Sequence, residues 1–236
     1  MFSTAPEPIM IHQLSGRLAR PLACAALLAL SALSISAQAT ETALFRDLKY
    51  DAPRAQFGSD RGYYDCSAAV GAAARCVDGV KFLGHTFDTQ VLMFVGDRLR
   101  SVQLVTAFKP EPFASLVKAL MQDFTLVMLQ SGDKRLDLVE ATRKGVESKL
   151  KATVAEFESI GLNKGELTYV FVEQPAQTLK VFTNGVDAIM KSPPTTREAD
   201  VVVREKGNEA WLSVMFSLPR RAMEDLRNTP VPKEKF

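Results

Sequence analysis

Residues 87–107 read FDTQVLMFVGDRLRSVQLVTA, and this stretch decides the fold class. Two runs rich in β-branched and aromatic residues, 87–95 and 98–107, flank the dipeptide Gly96-Asp97. Such composition is typical of strands. Glycine at the first of two loop positions is typical of a type II′ turn, whose twist matches that of paired strands. The stretch therefore predicts an antiparallel β-hairpin.

A second hairpin is predicted near the end of the chain. Residues 199–205 and 209–218 flank Gly207-Asn208, and apolar side chains alternate along the second run. Each hairpin is followed by a helical segment that opens on proline, at Pro110 and at Pro219. Strands that come in hairpins favour an antiparallel sheet. We therefore predict an α+β fold, with helices packed mainly on one face and a duplicated ββα plan.

The segment between the hairpins leaves one assignment open. Residues 124–130 continue the apolar spacing of a helix that starts at Pro110, but Thr125, Leu126 and Val127 also suit a strand. We favour the helix. Further along, the patterns predict a helix at 133–160, strands at 167–172 and 178–182, and helices at 186–191 and 219–227.

The start of the chain has the three parts of a secretory signal peptide. Arg17 and Arg20 precede an apolar run over residues 21–35, and Ala37-Gln38-Ala39 forms an A-x-A cleavage site. The run is shorter than the roughly twenty residues that span a bilayer. We predict cleavage near Ala39 and a periplasmic or secreted product, with either Met1 or Met10 as the true start.

Four segments follow from these assignments. They are a signal peptide at 1–39, a part at 40–165 with a disulfide loop, hairpin and helical pair, a part at 166–228 with hairpins and short helices, and a disordered tail at 229–236. We expect the two middle parts to form one continuous domain.

Cysteine and histidine usage excludes several kinds of chemistry. Beyond the predicted signal only Cys66 and Cys76 remain, which in an oxidising compartment indicates a disulfide. His85 is the one histidine left, which is too few for a zinc site. A Ser-His-Asp arrangement would have to use His85, and no serine lies in a G-x-S-x-G motif. We therefore expect no metal, no cofactor and no assigned catalytic residue.

The charge balance of the chain argues against nucleic acid as a partner. The whole chain has 29 basic and 27 acidic residues, a net charge of +2, with the signs interspersed. A nucleic-acid-binding protein needs a basic face, so that class is disfavoured. We also expect no membrane span in the mature chain.

Two groups of aromatic and apolar residues are candidate binding surfaces. Tyr63 and Tyr64 precede the disulfide loop, and a loop made rigid by a disulfide presents side chains well. Trp211 and Met215 occupy the strand face opposite Leu212 and neighbouring core positions, where an exposed apolar patch would mark a binding surface. Packing into the protein is the alternative for both pairs.

The order of elements resembles that of small bacterial envelope proteins built from tandem helix and β-meander units. Examples are the outer-membrane-assembly lipoproteins and the β-lactamase-inhibitor proteins. The resemblance carries no diagnostic motif, so no functional residue is transferred from it.

The leading hypothesis is an exported, soluble binding or interaction protein of the bacterial envelope, without catalysis. Its partner would be an unknown envelope protein or a small ligand. One alternative is a periplasmic hydrolase that uses carboxylates or a Ser/Lys pair. Another is an inhibitor of an extracellular enzyme, with the loop from Tyr63 to Cys76 as the inserting element.

Overall fold

The computed structural model describes residues 42–145 and 147–228. The predicted signal peptide and the predicted tail at 229–236 lie outside the described residues. The strands are β1 Ala43–Phe45, β2 Leu48–Lys49, β3 Tyr64–Asp65, β4 Ala74–Phe82, β5 His85–Val95, β6 Arg98–Ala107, β7 Thr125–Ser131, β8 Lys134–Asp137, β9 Glu166–Val172, β10 Glu198–Lys206 and β11 Glu209–Ser217. The α-helices are α1 Ser67–Val70, α2 Pro110–Asp123, α3 Leu138–Arg143, α4 Glu147–Asn163, α5 Gly185–Lys191 and α6 Pro219–Asn228.

Nine strands form one antiparallel sheet in the order β3-β4-β5-β6-β11-β10-β9-β7-β8, and β1 pairs only with β2. The two predicted hairpins are β5–β6 and β10–β11, and they meet in the centre because β6 pairs with β11. Strands from residues 40–165 and 166–228 are therefore neighbours within one sheet. The predicted α+β class is confirmed.

One face of the sheet, which we call the core face, carries the main hydrophobic core. Helix α2 packs on it with Leu116 and Leu120, and α4 with Leu150 and Val154. The N-terminal strand β1 covers another part of this face with Leu44 and Phe45, which are both buried. Removing this apolar surface from water is the largest favourable contribution to folding.

The opposite face, which we call the second face, is covered at its two ends. At one end the disulfide between Cys66 and Cys76 packs with Ala74 and Val91. At the other, α3, α5 and the 3-10 helix Ala176–Val181 cover Val170 and Val172. Between these ends, the positions of β11 that face this side are partly exposed: Trp211, Ser213 and Met215.

The prediction of helix for residues 124–130 is wrong. These residues form strand β7, which pairs with β9 through Leu126 and Phe171. Val127, Met128 and Leu129 are all buried, because the core face and the α3–α5 end of the second face cover opposite sides of the strand. A strand buried on both sides has a continuous apolar run, which cannot be distinguished from a helix by spacing.

Two other predictions are corrected. The helix expected at 133–160 is three elements, β8, α3 and α4, with Gly145 at φ +72 between the two helices. The strand expected at 178–182 is instead the 3-10 helix Ala176–Val181. Pro175 stands directly before this helix in an extended conformation, as its N-cap.

The duplicated ββα plan is not confirmed. Helix α2 follows the first hairpin and buries Leu116 and Leu120 in the main core. Helix α6 follows the second hairpin, but none of its described residues is buried. The two helices thus differ in how they pack, although each opens on a proline.

The turn between β5 and β6 differs from the predicted type II′ geometry. Gly96 and Asp97 both have positive φ angles, 55° and 60°, as in a type I′ turn. A positive φ strains an ordinary side chain but not glycine. Asp97→Gly should therefore raise the free energy of unfolding by about 0.5–1 kcal/mol, measured by urea denaturation.

The turn between β7 and β8 supplies a matched control. It contains the same dipeptide, Gly132-Asp133, but only Gly132 is among the residues with positive φ. Asp133→Gly should give no gain, because nothing is strained at that position and glycine adds freedom to the unfolded chain. Equal effects of the two substitutions would contradict the conformational explanation.

Candidate binding cavity

The N-terminal segment is held against the sheet by backbone hydrogen bonds. The amide of Asp51 donates to the carbonyl of Leu99 at 2.9 Å, and the amide of Arg54 to the carbonyl of Asp97 at 2.8 Å. Arg46 and Asp51 have φ angles of 52° and 70°, which few non-glycine residues adopt. These two residues bend the segment, so that it stands away from β4 while its far end is fastened to β6.

A cavity of about 960 Å³ lies between this segment and β4. Its apolar walls include Phe45, Phe57 and Tyr63 on one side and Val77 and Val80 on the other. The two valines are three positions apart, so simple strand alternation would place them on opposite faces. Gly79 lies between them at φ +68, which interrupts the alternation and lets both line the cavity.

The side chain of Gln90 on β5 also lines this cavity and is only 5% exposed. Its Nε2 is buried and has no hydrogen-bond partner among the described residues. Gln90 stands in a cross-strand row whose other members are apolar or aromatic: Val77, Leu104, Val214, Val201, Tyr169 and Leu129. Burying an amide without a partner costs free energy, so this residue works against the stability of the core.

Basic side chains are concentrated around the cavity. The described lining holds six basic residues and three acidic ones. Arg46 donates to the backbone carbonyl of Lys81, which ties the N-terminal turn to β4. Its guanidinium also stacks on Phe45 and Phe82, with centroid distances of 5.0 and 5.8 Å. Arg46 is thus held in place by neutral partners.

Two tyrosines beside the cavity stay protonated at neutral pH. Burial raises the pKa of Tyr63, with a further contribution from the negative charge of Asp47. Burial likewise raises the pKa of Tyr50 to about 12, reinforced by the hydrogen bond that its hydroxyl donates to Asp225 at 2.8 Å. Both phenols are therefore hydrogen-bond donors rather than nucleophiles.

Known proteins were compared with this chain at the levels of family, sequence and structure. No protein family, curated protein or solved structure matches it. The chemistry of the cavity and of the sheet is therefore the basis on which a function can be argued.

The four predicted surface residues lie at different places. Tyr63 is half-buried, lines the cavity and packs edge-on against Phe57. Tyr64 is 44% exposed, pairs with Cys76 on the second face and donates its hydroxyl to Asp78 at 2.9 Å. Trp211 and Met215 share the partly exposed middle of the second face. The structure thus places Tyr63 in the cavity, apart from Tyr64, Trp211 and Met215.

A half-buried pair of carboxyl groups lies on the second face of β10. Glu198 and Asp200 hydrogen-bond to one another, and Asp200 is flanked by Met215 and Val170. Burial raises the pKa of Glu198 to about 8 and that of Asp200 to about 6, and the charge of Asp200 raises that of Glu198 further. The pair is not part of the cavity lining.

The described residues also bear on the predictions about His85, metal sites and membrane spans. His85 Nε2 lies 3.1 Å from the hydroxyl of Ser115, so the imidazole is used in a contact between β5 and α2. Within the described ranges no group of three or more His, Cys, Asp or Glu side chains could hold a metal ion. No described helix is both long enough and apolar enough to cross a membrane.

The sequence predictions missed most of the cavity. Of the residues that line it, only Tyr63 was a candidate. The sequence contained one indication of the cavity. Gln90 lies on the same face of β5 as Leu92 and Phe94, so a polar residue occupies a core position. A polar residue at a core position is unfavourable unless it has a function.

Proposed function

We propose that this chain is an exported binding protein of the bacterial envelope that holds a small ligand in the cavity beneath its N-terminal segment. The observation that carries the proposal is the unpartnered amide of Gln90 in the lining of that cavity. This Nε2 has almost no accessible surface, so the Gln90 side chain would turn toward the cavity to donate to an acceptor atom of the bound ligand. The volume of the cavity, about 960 Å³, falls at the upper end of the range of small-molecule sites.

The lining offers apolar surface that a ligand can contact. Phe57 and Tyr63 pack edge-on against one another beside the cavity, and Val77 and Val80 lie opposite them on β4. Tyr63, Val77 and Val80 are partly exposed. A ligand with an apolar part would remove that surface from water, which is favourable.

The envelope location rests on two features. The signal-like segment ends near Ala39, and Cys66 and Cys76 are joined in a disulfide. Disulfides persist mainly in oxidising compartments such as the periplasm. Both features favour export, and the bound ligand would then be one that occurs outside the cytoplasm.

A periplasmic hydrolase is the second candidate, because Glu198 and Asp200 form a carboxyl pair with raised pKa values. Perturbed carboxyl groups in a cleft are typical of active sites. In this protein the perturbed groups and the large cavity do not coincide, since the pair lies on the second face. This separation favours binding over hydrolysis.

Filling the cavity tests the proposal. Val80→Trp should abolish ligand binding because the indole would occupy the cavity, whereas Val202→Trp on the second face should not. We expect a ligand from an extract of the periplasm to raise the Tm of the wild type and of Val202→Trp. At a hundredfold excess over Kd the stabilisation is about 2.7 kcal/mol, or roughly 5–10 °C.

Two outcomes would contradict the proposal. One is a ligand that stabilises Val80→Trp as strongly as the wild type, since binding would then lie elsewhere. The other is an extract that stabilises none of the three proteins while the wild type turns over an ester, glycoside or peptide substrate. Native mass spectrometry of the protein purified from the periplasm gives an independent measure of occupancy.

A further inference from the structure

The identity of the ligand can be narrowed from the charges around the cavity, provided that the proposed binding function holds. The described lining carries six basic and three acidic residues, so its formal charge is +3, whereas the whole chain has a net charge of +2. The 21 residues of the lining thus carry a clear excess of positive charge, whereas the chain as a whole is close to neutral. A lining of one sign raises the local concentration of ligands of the opposite sign.

The basic groups of the lining also differ from those elsewhere in how they are paired. Among the described residues, no ion pair with a carboxylate involves Arg46, Arg61, Lys81, Arg98 or Arg221. Outside the lining, several arginines are paired with a carboxylate: Arg54, Arg75, Arg100, Arg197, Arg204 and Arg220. Cations without counter-charges beside a cavity are suited to binding an anion.

Three of these guanidinium groups are positioned by backbone carbonyls. Arg46 donates to the carbonyl of Lys81, Arg61 to that of Gln56 at 3.2 Å, and Arg98 to that of Asp51 at 3.2 Å. A guanidinium has five N–H donors, so each keeps others for a ligand. Because the carbonyls are neutral, they orient the side chains without cancelling their charge.

Nearby carboxylates do not neutralise the lining fully. Asp51 is ion-paired with Arg100 at 3.0 Å, and Asp78 accepts hydrogen bonds from Tyr64 and Thr89, both at 2.9 Å. Arg100 therefore offsets the charge of Asp51, whereas Asp78 keeps its negative charge, which the formal charge of +3 already includes. Asp47 is the third acidic residue of the lining.

The interior of the cavity is less polar than its rim. Arg46, Lys81 and Arg98 are exposed, whereas the buried surface includes Phe45 and Phe57. Gln90 adds one buried amide to this apolar interior. A fitting ligand has its charge at the rim, its apolar part against the aromatic rings, and a polar atom that reaches Gln90.

We infer that the cavity binds an organic anion, an apolar or aromatic body that carries a carboxylate or phosphate group. The carboxylate or phosphate pairs with the rim cations, Lys81 and Arg98 among them. Arginine favours both groups because its planar fork matches two oxygens at once.

Matched probes separate charge from shape. Octanoate and octyl phosphate carry the two anionic groups, and octanamide is the uncharged counterpart of the same length. Isothermal titration should show the better anion binding at least about tenfold tighter than octanamide, since ionic hydrogen bonds are about twice as strong as neutral ones. The order of octanoate and octyl phosphate tells which anionic group the site prefers.

Matched variants test the rim. Lys81→Gln/Arg98→Gln should weaken anion binding by about tenfold and leave octanamide unchanged, because surface charge pairs contribute up to about 1 kcal/mol each. Lys118→Gln/Arg135→Gln makes the same change in charge at exposed positions on α2 and β8, and should change neither affinity. Raising the salt concentration should weaken the binding of the anions only.

The outcomes distinguish this inference from the proposed function. If octanamide binds as tightly as the anions and Lys81→Gln/Arg98→Gln has no effect, the anionic class is wrong but cavity binding stands. If the anions bind and Val80→Trp does not weaken them, the proposed cavity function is wrong as well. Failure of all three probes to bind at millimolar concentration would also overturn the anionic class, and the extract screen would then decide the function.

Discussion

Replacing Gln90 by leucine should make the protein more stable and at the same time weaken its ligand binding. The amide Nε2 is buried without a partner among the described residues, in a row flanked by Val77 and Leu104. An unsatisfied buried polar group costs about 1–3 kcal/mol. Leucine has similar size and no polar atom, so Gln90→Leu should raise the free energy of unfolding by about 1–2 kcal/mol.

The loss of binding follows from the same change. A ligand atom bonded to the Gln90 amide would be left buried and unpaired beside leucine, which costs free energy in the complex. We expect the affinity of a ligand that reaches the amide to fall by about tenfold or more, since each 1.4 kcal/mol is a factor of ten. Urea denaturation and isothermal titration measure the two effects on the same preparation.

Gln103→Leu is the matched control, because Gln103 lies on β6 in the second face, between Val91 and Met215. Its side chain is partly exposed, so neither stability nor binding in the cavity should change by much. A Gln90→Leu variant that is less stable than the wild type would show that the amide supports the fold rather than a ligand.

Opposite signs for stability and binding are expected where a residue is retained for function. Natural proteins are not at their optimum of stability, and stabilising substitutions at functional positions are commonly harmful to activity. Arg46 and Asp51, which line the same cavity, have left-handed backbone conformations that also lower stability. Backbone strain of this kind tends to accumulate at ligand sites. These features occur together around one cavity.

Local chemistry explains which parts of the fold could be predicted. The hairpins β5–β6 and β10–β11 follow from two-residue turns flanked by strand-like runs, and both signals are local in the sequence. Residues 124–130 were predicted wrongly as a helix, since their apolar pattern depends on what covers each side of β7. The second face of β7 is covered by α3 and α5, which occur later in the sequence, so the information was not local.

The cavity was harder to predict than the strands. Its lining comes from residues 45–53, 56, 57, 61, 63, 77–81, 90, 98 and 221, which lie far apart in the sequence. Single basic residues such as Lys81 and Arg98 have no distinguishing neighbours in the sequence. Gln90 was the exception, because alternation along β5 placed an amide among core positions.

The carboxyl pair on β10 should make stability fall as the pH rises. Burial raises the pKa of Glu198 to about 8 and that of Asp200 to about 6. In the unfolded chain ordinary values of roughly 4 apply. Between these limits the folded protein holds protons that the unfolded chain has released, so this contribution is fully present below about pH 4 and is lost as the pH passes 8.

The size of the effect is large for two residues. Each unit of pKa difference corresponds to 1.36 kcal/mol, so we expect the free energy of unfolding to fall by roughly 2–4 kcal/mol between pH 5 and pH 9. The apolar neighbours of Asp200 explain why the carboxyl pair keeps a proton in the folded protein. Asp200 Oδ1 is buried with no described hydrogen-bond partner, and Val170 and Met215 flank it, so an ionised pair would be poorly solvated.

Neutral analogues isolate this contribution from that of the other titrating groups. Glu198→Gln and Asp200→Asn should each flatten the dependence on pH, and Glu198→Gln should be more stable than the wild type at pH 9. Glu209→Gln, at an exposed position of β11, should leave the slope unchanged. Urea denaturation at each pH gives the slope. A wild-type curve parallel to that of Glu198→Gln would mean that the pair is ionised in the folded protein, and the partly exposed surface around Trp211 and Met215 would then carry negative charge.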